Sequence, residues 1–114
     1  MRILGIDPGL ERTGWGLIDV AGNRLSFVAA GVIRSKPTEA VAVRLCRIDE
    51  ELSRIVAEFK PDTSAIEETF VNKNAASSLK LGQARGVAIV APARAGLDVA
   101  EYSANSVKKT VVGA

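Results

Sequence analysis

The spacing of apolar residues changes along the chain and divides it into strands and helices. Arg2–Asp7 is a short apolar run that stops at Asp7-Pro8-Gly9, a strong turn signal. Gly14–Val20, with Trp15, Leu17 and Ile18, predicts a second strand. The turn Ala21-Gly22-Asn23 leads into a third over Arg24–Arg34. Three strands joined by two hairpin-like connections predict an antiparallel meander. The period then lengthens. Val41, Leu45, Ile48, Leu52, Ile55, Val56 and Phe59 lie on one face of a helix from about Thr38 to Phe59, with Thr38 as the expected N-cap. Pro61-Asp62 ends it, and Thr63–Glu68 is a short fourth strand. A helix between the third and fourth strands is a crossover, so the fourth strand is expected to lie parallel to a neighbour.

A second helix is expected from Ala75 to about Arg94, with Pro92 kinking or ending it. Gly82 and Gly86 interrupt it four residues apart, and each interior glycine costs about 1 kcal/mol relative to alanine. Close approach of another helix is one physical reason to keep them; chance is the other. Leu97–Tyr102 reads as a fifth strand, and Ser103 is placed to cap a last short helix running toward Val112. The order βββαβαβα predicts an α/β fold in one domain over residues 1–114.

Composition narrows the chemistry. The chain has 114 residues, 47% of them hydrophobic and 25% charged, which excludes a disordered charged tail. Fifteen Lys and Arg stand against 13 Asp and Glu, and a net charge of +2 does not identify a partner. There is no His, so histidine bases and histidine metal ligands are excluded. A single Cys46 permits no internal disulfide, which leans toward a reducing compartment. The start meets Asp7 and Pro8 too early for a signal peptide, and the apolar stretch Val87–Ala93 contains Pro92 and falls far short of the ~20 residues of a membrane span. A soluble cytoplasmic protein with no membrane partner is the expectation.

Most acids, such as Glu39, Asp49, Glu50 and Glu58, lie on solvated helix faces or turns, whereas Asp7 ends an apolar strand and Glu67 follows Ala65-Ile66 in another. A carboxylate there is costly unless something pairs with it. If the first and fourth strands are neighbours, ~4.8 Å apart, the two acids can reach one divalent cation. With no His and one Cys, oxygen ligation of Mg²⁺, or of Mn²⁺, is the metal chemistry the chain can supply. Such a site activates water and stabilises a displaced phosphate oxygen. The ordinary alternative is that both acids pair with nearby bases or cap turns. Glu67 and Glu68 face opposite sides of a strand, and spacing alone does not say which one meets Asp7. The glycines of Asp7-Pro8-Gly9 and Thr13-Gly14-Trp15-Gly16 allow either a tight hairpin or close backbone approach by a phosphate. Between Thr69 and Leu97 there is no acid, but Lys73, Lys80, Arg85 and Arg94 occur there, and Lys108-Lys109 adds a basic pair. Phosphate contacts need such clusters, and Phe70 in a polar, basic loop is suited to stacking on bases or to folding back on the core.

Taken together, these segments resemble the RuvC family of Holliday-junction resolvases. The resemblance is carried by Ile3-Leu4-Gly5-Ile6-Asp7-Pro8-Gly9 with Thr13-Gly14-Trp15-Gly16, and by Ala65-Ile66-Glu67-Glu68-Thr69-Phe70. It continues through Asn72-Lys73-Asn74-Ala75-Ala76, Leu79-Lys80-Leu81-Gly82-Gln83-Ala84-Arg85-Gly86-Val87-Ala88, Glu101-Tyr102 and Val107-Lys108-Lys109-Thr110-Val111-Val112-Gly113. It implies an RNase H-like fold: a mixed five-stranded sheet, three strands in an antiparallel meander plus parallel strands, flanked by helices. It implies a homodimer that binds four-way DNA junctions and makes paired symmetric nicks, with Mg²⁺ as cofactor and a branch-migration helicase complex as a further partner.

By the same resemblance Asp7 and Glu67 are catalytic metal ligands, which selects Glu67 over Glu68. Phe70 and Lys108 match positions near the cleavage site; the basic stretch and pair add Lys73, Lys80, Arg85 and Lys109, with Asn74, as DNA-contact candidates. The helix from Ala75 becomes a dimer-interface helix. The family's third and fourth acids lie on a C-terminal helix beyond Gly113, so the chain reads as lacking that helix, and weak or absent cleavage is expected. A dimeric junction-binding module without cleavage is the alternative function. An actin-like sugar or acetate kinase shares the Asp7-Pro8-Gly9 opening but needs a second domain and further phosphate loops.

Overall fold

The computed structural model describes residues 1–68 and 74–103. Their element order is β1 (Arg2–Asp7), β2 (Arg12–Ala21), β3 (Arg24–Arg34), α1 (Val41–Phe59), β4 (Thr63–Glu68), α2 (Ala75–Arg94) and β5 (Val99–Ser103). The strands form one sheet in the order β3-β2-β1-β4-β5. The pairs β1·β2 and β2·β3 are antiparallel, whereas β1·β4 and β4·β5 are parallel. The meander followed by crossovers is the expected arrangement. Gly22, at φ 59, starts the β2–β3 hairpin, as a turn with glycine first requires.

Both helices cover one face of the sheet. Leu4, Ile6, Leu17, Ile33 and Ile66 share that face with Ile48, Leu52 and Ile55 of α1 and Ala84, Ala88 and Ala91 of α2 in a single core. Trp15 lies on the same face, its ring centroid 6.2 Å from that of Phe59. Gly31 makes room for it, because a Cβ there would stand 2.8 Å from the indole. Arg2 ties the sheet to the end of α1: Nε donates to Asp19 Oδ1 at 2.8 Å, and Nη1 donates to the Phe59 carbonyl at 2.8 Å.

Several boundaries differ from the sequence expectation. α1 begins at Val41 behind Ala40, which makes no side-chain cap, and Thr38 does not cap it. The preceding residues close a turn instead, in which Glu39 accepts the Lys36 N–H at 2.7 Å and pairs with Arg47. β2 begins two residues earlier than expected, at Arg12. β5 starts later, at Val99, because the Pro92 carbonyl accepts the Leu97 N–H at 3.1 Å and holds that residue in the end of α2. Pro92 does not break α2: it lies in the last turn and its ring is fully buried. Ser103 closes β5, and the last helix expected after it lies outside the described residues.

Candidate active site

β1 and β4 run side by side with Ile6 opposite Ile66, so the next residues, Asp7 and Glu67, lie side by side on the other face of the sheet. Ile6 and Ile66 are buried under the helices, so their neighbours must point to the uncovered side. The same parity sends Glu68 toward the helices, which settles the choice that spacing left open. Glu67 stands opposite Tyr102 on β5, and Asp7 opposite Gly14 on β2. The row Gly14–Asp7–Glu67–Tyr102 therefore crosses the carboxyl ends of three parallel strands, β1, β4 and β5.

The two carboxyl groups are neighbours close enough for the charge of Asp7 to act on Glu67. Neither forms an ion pair with a base among the described residues. Burial first, then the neighbouring Asp7 carboxyl, pushes the Glu67 carboxyl above the usual range. Tyr102 is held above the ordinary phenol value by burial and by the negative charges of Glu67 and Asp7, so its hydroxyl keeps its proton at neutral pH. Gly5, Gly14, Gly16 and Tyr102 line an open groove of about 300 Å³ beside Asp7. Side chains at the glycine positions would fill it.

Two hard, like-charged oxygen donors without a neutralising base fit a divalent metal. Among the described residues no third Asp, Glu, Cys or His joins them. The pair supplies two ligands, and a complete shell needs oxygens from water, from a phosphate or from further residues.

Of the expected DNA-contact residues, Phe70, Lys73, Lys108 and Lys109 lie outside the described residues. Asn74 is the N-cap of α2, its Oδ1 accepting the Ser77 N–H at 2.7 Å. Lys80 is exposed one turn further along. Arg85 pairs with Glu101, on the helix side of β5. Gly82 and Gly86 face open space, with nothing within 4 Å of where a Cβ would stand, and border an apolar groove between α1 and α2 with Leu45, Cys46, Val87 and Val90. Two residues escaped the sequence reading of the site. Tyr102 carried one signal, its place on a strand, but which acid it stands beside depends on the β4–β5 register. Arg44 carried none, because its burial depends on the loops around it.

A family model described as crossover junction endodeoxyribonuclease RuvC matches residues 3–114. A protein of that name from Rhizobium rhizogenes is 58% identical over 113 residues, covering 99% of this chain and 66% of its own length. Another from Afipia carboxidovorans is 60% identical over 114 residues, covering 100% of this chain and 67% of the relative. The solved structure of Thermus thermophilus RuvC in complex with Holliday junction substrate superposes with a TM-score of 0.93 at 30% identity, covering 100% of this chain and 70% of that one. The chain thus has the RNase H-like fold, with an acidic pair at the carboxyl ends of its central parallel strands. It belongs to the crossover junction endodeoxyribonuclease RuvC family. It spans about two thirds of the length of the curated relatives it matches. Among the described residues no helix is long and apolar enough to cross a membrane.

Proposed function

We propose that this chain carries the metal-binding acids of a Holliday-junction resolvase, a Mg²⁺-dependent endonuclease acting on four-way DNA junctions in recombination and repair. The observation that carries the reading is the Asp7–Glu67 pair, two carboxyl groups side by side on adjacent parallel strands with no base paired to either among the described residues. Mg²⁺, with Mn²⁺ as a substitute, would supply Lewis-acid stabilisation of the phosphate and a lowered pKa for the attacking water. The chain's own residues do the positioning. Asp7 and Glu67 hold carboxylate oxygens toward the uncovered face. The glycine-floored groove beside Asp7 leaves room for a DNA strand. Tyr102, kept protonated, offers a hydroxyl donor next to Glu67.

Phe70 and Lys108 are proposed as DNA contacts by family likeness, and Lys73, Lys109, and Lys80 and Arg85 on α2 by their place in the acid-free basic stretch and the basic pair. Asn74 acts through the start of that helix, which it caps. A homodimer built on the α2 groove at Gly82 and Gly86 suits a substrate with two equivalent strands to cut. A cytoplasmic setting and a branch-migration helicase partner belong to the same reading. A second reading, a junction-binding module without cleavage, is favoured by the count of two acids at the site among the described residues.

The test combines Mn²⁺ binding, gel shifts and nicking assays on a synthetic four-way junction and a linear duplex of the same sequence. The expected result is preference for the junction, with Mn²⁺ binding lost in both Asp7→Asn and Glu67→Gln. Equal affinity for the linear duplex, or metal binding untouched by either substitution, overturns the reading. Metal binding and junction preference without nicking select the second reading over the first.

A further inference from the structure

α1 and α2 both begin at the edge of the sheet that carries Asp7 and Glu67. β3 and β4 run parallel to β1, and each helix follows one of them. Neither helix has an acid in its first turn, so the positive ends of two backbone dipoles face that edge uncompensated. The more telling feature is Arg44, in the first turn of α1 and only 5% exposed. Its Nε donates to Ser35 Oγ at 2.8 Å, and Ser35 Oγ donates to the Leu10 carbonyl at 2.6 Å. That chain employs one of the guanidinium's five N–H groups. No carboxylate among the described residues forms an ion pair with it. Among the described residues no fully buried side-chain nitrogen lacks a hydrogen-bond partner, so the remaining N–H groups are not stranded in the core and stay available to an anion.

Arg44 lines an open cavity of about 380 Å³. Gly9, Glu11, Ser77 and Lys80 contribute to its walls. Gly9 is two residues past Asp7, Ser77 lies in the first turn of α2, and Lys80 is one turn further on. Glu11 is the acid of this wall, yet among the described residues it pairs with neither base.

We infer that this cavity seats a backbone phosphate of the bound nucleic acid, held by Arg44 and Lys80 together, as an anchor separate from the Asp7–Glu67 pair. The inference rests on the nucleic-acid reading above and adds Arg44 to it. A guanidinium whose terminal N–H groups are unused presents the fork that matches two phosphate oxygens. Lys80 supplies a second charge and Ser77 a hydroxyl. The position beside the turn after Asp7 places the anchored phosphate on the stretch of strand that approaches the acids.

The experiment measures the salt dependence of binding to a synthetic four-way junction in Ca²⁺, with an inorganic-phosphate titration followed by NMR at the Arg44 Nε–H and the Ser77 amide. Loss of one phosphate contact lowers the slope of log affinity against log salt by about one. Arg44→Gln and Lys80→Gln are each expected to lower it by about one, and the double variant also by about one, because both hold the same phosphate. Ser35→Ala removes the tether and keeps the charge, so it is expected to lower the melting temperature and leave the slope alone. A slope unchanged in Lys80→Gln, or in folded Arg44→Gln that loses only melting temperature, overturns the inference. A double variant that loses two contacts does the same. Where Arg44→Gln fails to fold, Lys80→Gln and the phosphate shifts decide. Loss of junction preference with phosphate shifts intact removes the resolvase reading and keeps the anion cavity. Junction preference with no phosphate shifts and no slope change removes the cavity alone.

Discussion

The two faces of the sheet are built from the same strands, one residue out of step, and they do opposite work. Ile6 and Ile66 are at most 1% exposed under the helices, while Asp7 and Glu67, next along each strand, point to the uncovered side. The covered face carries Leu4, Leu17, Ile33 and Trp15 against both helices. The other carries Gly5, Gly14, Gly16, the acids and Tyr102, with Ile18, Phe27 and Val32 exposed toward the β2–β3 side. Burial of apolar area stabilises the first face; the second spends stability on a like-charged pair and on glycines with nothing to pack. Stability and chemistry can share a strand because alternate residues leave it in opposite directions.

Substitution of adjacent residues tests this division most directly. Ile66→Ala should destabilise the fold by about 2–5 kcal/mol, because a cavity opens where no side chain can collapse. Urea unfolding would measure it, and a loss no larger than that of a surface substitution would contradict the assignment of this face. Gly31→Ala should cost about 1–3 kcal/mol, since its Cβ would meet the Trp15 indole at 2.8 Å and the ring is already packed by Phe59. The matched change on the other face, Gly16→Ala, meets only ordinary contacts and should cost less.

Glu67→Gln should have the smallest and opposite effect. The Glu67 carboxyl is raised in the fold above its unfolded value. At low pH it is protonated in both states and contributes no difference. As pH rises from the ordinary glutamate range through the raised value, the unfolded chain ionises first, and the folded state loses stability relative to it. Without added metal, the variant should therefore gain on the unsubstituted chain as pH rises from about 4 toward neutrality. A gap between their urea midpoints that stays constant with pH would break the claim that burial, with Asp7 beside it, raises the Glu67 carboxyl. Added Mn²⁺ should narrow the gap by stabilising the unsubstituted chain alone.

Elements were legible where local period carries the information. The helix spacing from Val41 to Phe59, the strand runs and the crossover that makes β4 parallel all followed from residues within one segment. The Thr38 cap was misread because Glu39 and the distant Arg47 compete for the same turn. Asp7 and Glu67 were legible as unusual acids, since each sits among apolar strand residues, although the choice between Glu67 and Glu68 rested on likeness to a family. Arg44 was illegible: a basic residue on an amphipathic helix ordinarily faces water, and its burial comes from Ser35 and Leu10 in two other connections.

The sequence by itself determined which segments are strands and helices, and which acids are out of place, because hydrophobic period and side-chain chemistry are written residue by residue. Only the tertiary structure decided that Asp7 faces Glu67, that Tyr102 flanks them, and that Arg44 lines a cavity beside Gly9. Those facts depend on strand register and on loops far apart in the chain, and no local pattern encodes either.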